Sequence, residues 1–83
     1  MKKYRTFNKQ TGVYSYFKAY DKQHAKNQLL ELLERQGLED SDNELESDWK
    51  DYYETIELAI KAHVDNFVYF RFIEYDDFEL VKE

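Results

Sequence analysis

Nine carboxylates crowd the stretch from Glu39 to Glu57: Glu39, Asp40, Asp42, Glu44, Glu46, Asp48, Asp51, Glu54 and Glu57, opposed there by Lys50 alone. Carboxylates at this density have three chemistries open to them. They can hold a metal, exchange protons in catalysis, or present negative charge to a cationic partner. Asp40, Asp42 and Glu44 are spaced like the first three ligands of an EF-hand calcium loop. However, the glycine needed at its sixth position is Leu45, and the bidentate glutamate needed at its twelfth is Asp51. No metal or cofactor is expected. Nucleophilic catalysis needs Ser or Cys beside a base. There is no cysteine, and the two histidines, His24 and His63, read as surface or half-buried side chains. Gly12 and Gly37 stand alone, so no glycine-rich phosphate loop exists, and an enzyme is not expected.

The third chemistry remains, and it depends on what element carries the acids. From Ser41 to Asn66 apolar residues recur at steps of three or four: Leu45, Trp49, Tyr52, Ile56, Ile60 and Val64, with Tyr53, Ala59 and His63 at the margin. That period predicts one long amphipathic helix. Its start is left open between Ser41, which with Glu44 has capping-box spacing, and Ser47. Asn66 is its stop. Glu44, Asp48, Asp51 and Glu54 then form the opposite face, with Glu46 and Glu57 flanking. Helical neighbours at i+3 and i+4 have Cβ atoms about 5–6 Å apart. With side-chain reach, this approaches the spacing of phosphates along a nucleic-acid strand. Acids in the first turns of such a helix are also favoured by its dipole. The same face is equally what an ordinary solubilising surface looks like.

The remaining elements must position that helix. Lys3 to Asn8 and Val13 to Tyr20 alternate as strands, joined by a Lys9-Gln10-Thr11-Gly12 turn in which Gly12 is free to take positive φ. Phe7, Val13, Ser15, Phe17 and Ala19 are expected on one face, and Tyr14, Tyr16, Lys18 and Tyr20 on the other. Asp21 is the N-cap of a first helix, Lys22 to Gln36, whose stripe is Ala25, Leu29, Leu32 and Leu33. Gly37 is placed just past its end, with Leu38 folding back on Leu33 in a Schellman motif. Leu38 to Asn43 follows as a polar connector. From Phe67 the period changes to two: Val68, Phe70 and Phe72 point one way, and Tyr69, Arg71, Ile73 and Tyr75 the other. This predicts a central strand. Asp76-Asp77 either turns the chain into a short final strand of Phe78, Leu80 and Val81 or merely bends it.

The predicted architecture is a single α+β domain over residues 1–83, β-β-α-α-β with an optional last β, an antiparallel sheet carrying both helices on one face. At 83 residues without cysteine it has no disulfides to rely on, and an aromatic fraction of 18% supplies core area instead. The basic start leads into alternating polar residues and no apolar run reaches spanning length, so neither a signal peptide nor a membrane segment is expected. The expected location is the cytoplasm.

The net charge of −6 conceals a polarity. Residues 1–35 carry eight basic and three acidic side chains, a net of +5, and residues 36–83 carry four and fifteen, a net of −11. The basic hairpin interleaves Lys2, Lys3, Arg5, Lys9 and Lys18 with Tyr4, Tyr14 and Tyr16, the composition of a stacking surface for single strands. Because the rest of the chain is so acidic, attraction to phosphates is expected to be largely cancelled. Direct nucleic-acid binding is therefore not the expected function.

In size, lack of cysteine, an α+β core rich in Tyr and Phe, and the run Glu39 to Glu57 with Asp76, Asp77 and Glu79 beyond it, the chain resembles the small acidic DNA-mimic proteins of phages, among them anti-restriction and anti-CRISPR inhibitors. Its basic first third departs from the most extreme mimics, so the resemblance implies a one-sided mimic or an inhibitor plugging a nucleic-acid channel. The implied partner is a basic DNA- or RNA-handling protein, such as a CRISPR nuclease or restriction system in the cytoplasm of a phage host. Asp40, Asp42, Glu44, Asp48, Asp51 and Glu54 would act as phosphate surrogates, Asp76 and Asp77 would extend the charge, and Tyr53 or Tyr75 would anchor the contact. The alternative is an adaptor or a self-associating module, a homodimer included, that uses the doubly apolar stretch Phe67 to Tyr75.

Overall fold

A computed structural model describes residues 1–82. The chain order is β1 (Lys2–Asn8), β2 (Val13–Ala19), α1 (Lys22–Glu44), a short 3-10 turn (Trp49–Asp51), α2 (Ile56–Phe72) and β3 (Glu79–Leu80). The three strands form one antiparallel sheet in the order β2-β1-β3, so the domain is α+β with two helices packed on each other.

The hairpin forms as its sequence dictates. β1 and β2 pair from Lys2↔Ala19 to Asn8↔Val13. The Asn8 side-chain oxygen accepts from the Gln10 and Thr11 amides at 2.8 and 3.1 Å, closing an Asx turn. Gly12 takes φ +74°, which a side chain would resist. The faces differ from expectation in one respect. Tyr4, Thr6, Asn8 and Ala19 are buried, whereas Phe7 lies edge-on to Tyr14 on the outer face, ring centroids 5.1 Å apart. Tyr4 thus belongs to the core rather than to the exposed basic face.

Asp21 caps α1 as predicted, its carboxylate accepting from the His24 amide at 2.7 Å. The helix then runs past Gln36 through Gly37 to Glu44, 23 residues, about 34 Å long. Gly37 does not terminate it. A Cβ there would stand 3.3 Å from both Phe67 Cδ1 and Val64 Cγ1, so the missing side chain is what lets α2 approach. Leu38, which a Schellman motif would have folded back, is exposed.

The predicted helix Ser41 to Asn66 is therefore divided between the end of α1, an irregular connection and the start of α2. Thr55 is the true N-cap, its hydroxyl accepting from the Leu58 amide at 3.2 Å. The apolar stripe divides accordingly: Val64 is buried, while Tyr52 and Ile56 are exposed. The predicted strand Phe67 to Tyr75 is mostly the end of α2, which runs to Phe72. There Val64, Val68 and Phe72 repeat at i+4, and the last two pack on the core of Tyr4, Ala19, Ala25, Leu29, Leu33 and Phe78. Only Tyr75 retains a strand contact, an isolated bridge to Asn8.

The final segment does return to the sheet. The Asp76 amide donates to the Phe7 carbonyl at 2.8 Å, the Thr6 hydroxyl donates to the Asp76 carbonyl, and β3 pairs Leu80 with Tyr4 and Glu79 with Arg5. Because α1 far outruns a seven-residue strand, the helical hairpin projects beyond the sheet and the molecule measures 52 × 24 × 16 Å. α1 packs on the sheet, and α2 joins the core only through its C-terminal turns. No helix among the described residues is long and apolar enough to cross a membrane.

Candidate protein-binding site at the acidic tip

The free end of the helical hairpin is built from the last two turns of α1, the connection 45–55 and the first turn of α2. All nine carboxylates from Glu39 to Glu57 lie on these elements. They do not form the face of one helix. Asp40, Asp42 and Glu44 are on α1, Asp48 precedes the 3-10 turn, Asp51 ends it, Glu54 is in the loop and Glu57 is in the first turn of α2. The regular phosphate-like spacing is thus lost, and clustering at one pole takes its place.

Eight of the nine, Asp40 excepted, are exposed and none of these eight forms an ion pair among the described residues. Asp40 is half-buried and spent internally, its Oδ2 2.8 Å from His63 Nε2, a contact that ties α1 to α2. Lys50 forms no ion pair among the described residues, and its ammonium sits 5.8 Å from the centroid of the Trp49 ring. Lys61 pairs with Asp65 at 3.8 Å rather than with Glu57. The Asp40-Asp42-Glu44 spacing lies in helix rather than loop, and no group of three or more metal-ligating side chains converges among the described residues.

The helix dipole changes sign for these acids. Asp42 and Glu44 occupy the last turn of α1, where the exposed carbonyls make the end negative and where no basic residue lies. The tip therefore concentrates charge at a cost to stability. Beneath it, a cavity of about 270 Å³ is lined by Glu44, Glu46, Asp48, Trp49, Tyr53 and His63 among others, and places aromatic rings beside the carboxylates. Tyr53 is exposed at this end, in reach of a docking partner.

Asp76, Asp77 and Tyr75 lie at the opposite end, with the sheet. Asp76 is 3.7 Å from Lys9 Nζ and Asp77 3.2 Å from Lys22 Nζ, and Glu79 pairs with Arg5. Lys22 holds the Asp77 carboxyl below its ordinary pKa, first by hydrogen bonding and then by charge. Tyr75 is half-buried against the core. The attraction between the basic and acidic halves of the sequence is thus realised at the sheet end and absent at the tip. The residue missed by sequence reasoning is Thr55, whose signal is a Thr directly before the apolar Ile56, with the acidic Glu57 in the first turn that follows. No family model, curated protein or solved structure matches this chain.

Proposed function

We propose that this is a non-enzymatic binding protein whose acidic tip docks into a basic, nucleic-acid-binding surface of another protein, blocking it as a one-sided mimic of a nucleic-acid backbone. The observation that supports this reading is the set of eight exposed, unpaired carboxylates gathered at one end of a 52 Å molecule, while the acids at the other end are neutralised internally. Desolvating unpaired carboxylates is costly unless cations meet them, so the tip favours a partner rich in Arg and Lys. The partner class, a CRISPR or restriction nuclease, follows from the resemblance to phage DNA mimics. Asp42, Glu44, Asp48, Asp51 and Glu54 act as phosphate surrogates and Tyr53 as the aromatic anchor; Asp40 serves the fold.

The test is capture of expressed CRISPR and restriction nucleases on the immobilised protein at low salt and at about 0.5 M salt, where the Debye length is about 4 Å. Capture that is lost in high salt, lost in the Asp48→Lys, Asp51→Lys variant and competed by DNA supports the proposal. Salt-resistant capture that survives charge reversal refutes it.

A second reading rests on α2, where Tyr69 and Phe70 are each 62% exposed and Ile73 is 52% exposed. Three neighbouring apolar side chains left in water suit an adaptor or self-associating surface. In that case Tyr69→Ser and Ile73→Ser abolish association, and charge reversal at the tip does not.

A further inference from the structure

The outer face of the sheet carries a feature that the acidic tip does not account for. Lys3, Arg5 and Phe7 on β1 stand opposite Lys18, Tyr16 and Tyr14 on β2 in register. Lys3 Nζ lies 4.8 Å from the Tyr16 ring centroid and the Arg5 guanidinium 4.3 Å from that of Tyr14. Tyr14 and Tyr16 are 40% and 51% exposed, their centroids 6.4 Å apart along the strand. Cations and aromatic rings are thus interdigitated on one face of an antiparallel pair, where Lys3, Tyr14, Tyr16 and Lys18 are exposed. Lys2 and Lys18 lie near its end, around a cavity of about 530 Å³.

The net acidity of the chain argues against phosphate binding only if the charges act together, and the fold keeps them apart. Glu39 lies seventeen residues along α1 from Lys22, about 25 Å by helical rise, and Glu44 about 33 Å. The screening length at physiological salt is about 8 Å. The tip carboxylates are several screening lengths away, and the acids that do reach the sheet, Asp76, Asp77 and Glu79, pair with Lys9, Lys22 and Arg5, so Lys3 and Lys18 keep their charge without an ion pair among the described residues. Glu79 on β3, opposite Arg5 in register, brings a carboxylate to this face, where it pairs with Arg5 and holds its guanidinium above the ordinary pKa.

We infer that the outer face of β1 and β2 binds single-stranded nucleic acid, with Tyr14 and Tyr16 stacking two successive bases, and Lys3 and Lys18 on that face and Lys2 at its edge meeting the flanking phosphates. Single strands rather than duplex are selected because stacking on a tyrosine requires an unpaired base, and every base offers a π-face. Backbone contacts through flexible lysines carry no sequence information, so binding is sequence-tolerant. This surface is distinct from the tip and does not depend on the tip's partner.

The experiment is fluorescence anisotropy of labelled dT12 and rU12, with a 12-base-pair duplex as control, titrated with the full chain at 50–300 mM salt. The expected result is a dissociation constant of about 1–100 µM at low salt. Its salt slope should be about −2, from three phosphates at about 0.7 each. Tyr16→Ala should weaken binding roughly five- to hundred-fold, and Lys18→Gln should shallow the slope by about 0.7. Glu79→Gln, which frees Arg5, should tighten binding. All these side chains are exposed, and circular dichroism checks that the variants remain folded. The Asp48→Asn, Asp51→Asn variant should bind the oligonucleotides like the parent, which separates this surface from the acidic tip. No anisotropy change up to 200 µM protein, equal binding by the Tyr16→Ala variant, or equal affinity for the duplex overturns the inference. So does salt-sensitive self-association in sedimentation, abolished by Lys3→Glu and Lys18→Glu, without oligonucleotide binding, because the occupant is then a second copy.

Discussion

Replacing Glu44 by Gln should leave the protein more stable than replacing Glu57 by Gln, although both residues lie in the same acidic cluster. Glu44 is the last residue of α1, where the helix dipole is negative, and Glu57 is in the first turn of α2, where it is positive. A charge in an end turn contributes about 0.3–1 kcal/mol at low salt. Glu and Gln have nearly equal helix propensities, so the exchange changes charge with little else. Relief of like-charge repulsion is common to both variants and drops out of the comparison. Lys61 does not complicate it, since its carboxylate partner is Asp65. The two variants should differ by about 1 kcal/mol, or about 4–8 °C in melting temperature for a domain of this size. Thermal unfolding in 20 mM and in 1 M salt measures this, and the difference should shrink at 1 M, where the Debye length is about 3 Å. A continuous helix from Ser41 to Asn66 would put Glu44 at a helix N-terminus and Glu57 in mid-helix. A Glu44→Gln variant no more stable than Glu57→Gln at low salt would therefore refute the division of the chain at residues 45–55.

Gly37→Leu should cost about 1–3 kcal/mol in urea denaturation, because a side chain there must displace Phe67 and Val64; a neutral result would mean that the helices do not meet at this residue. The Asp77 contribution should be pH-dependent. A carboxyl held low by Lys22 favours the folded state fully above the ordinary pKa of about 3.9 and loses that effect as pH falls through the lowered value. The stability difference between the parent and Asp77→Asn should consequently vanish between about pH 5 and pH 2, and an unchanged difference at pH 2 would exclude the pair.

The local signals in the sequence were reliable where they were self-contained. The alternation in β1 and β2, Gly12 in the turn and Asp21 before α1 each satisfy a local requirement, namely a face, a positive φ and a free amide, and each stands in the fold. The element order and the α+β class followed from them. Gly37 illustrates the failure. A lone glycine after an apolar stripe has two uses, to end a helix or to admit a neighbour, and only the position of Phe67 and Val64 decides between them. With Gly37 read as an end, the helical period of residues 41–66 counts as one element, and Phe67 to Phe72, apolar but for Arg71, reads as a strand. In the fold Phe67 meets α1, Val68 and Phe72 meet the core, and Tyr69, Phe70 and Arg71 are exposed, so the apolar residues of that run serve more than one side of a helix.

The candidate site shows the same division. The number of carboxylates and their clustering along the chain are legible from composition and order alone, because these are local properties. Which of them are available depends on packing. Packing α1 against α2 brings Asp40 to His63 and carries the other eight to the free end. The return of the C-terminal segment along β1 brings Asp76, Asp77 and Glu79 to Lys9, Lys22 and Arg5. Charge pairing depends on distances of a few ångströms between residues up to 74 positions apart in sequence, and those distances exist only after the helices and sheet have packed.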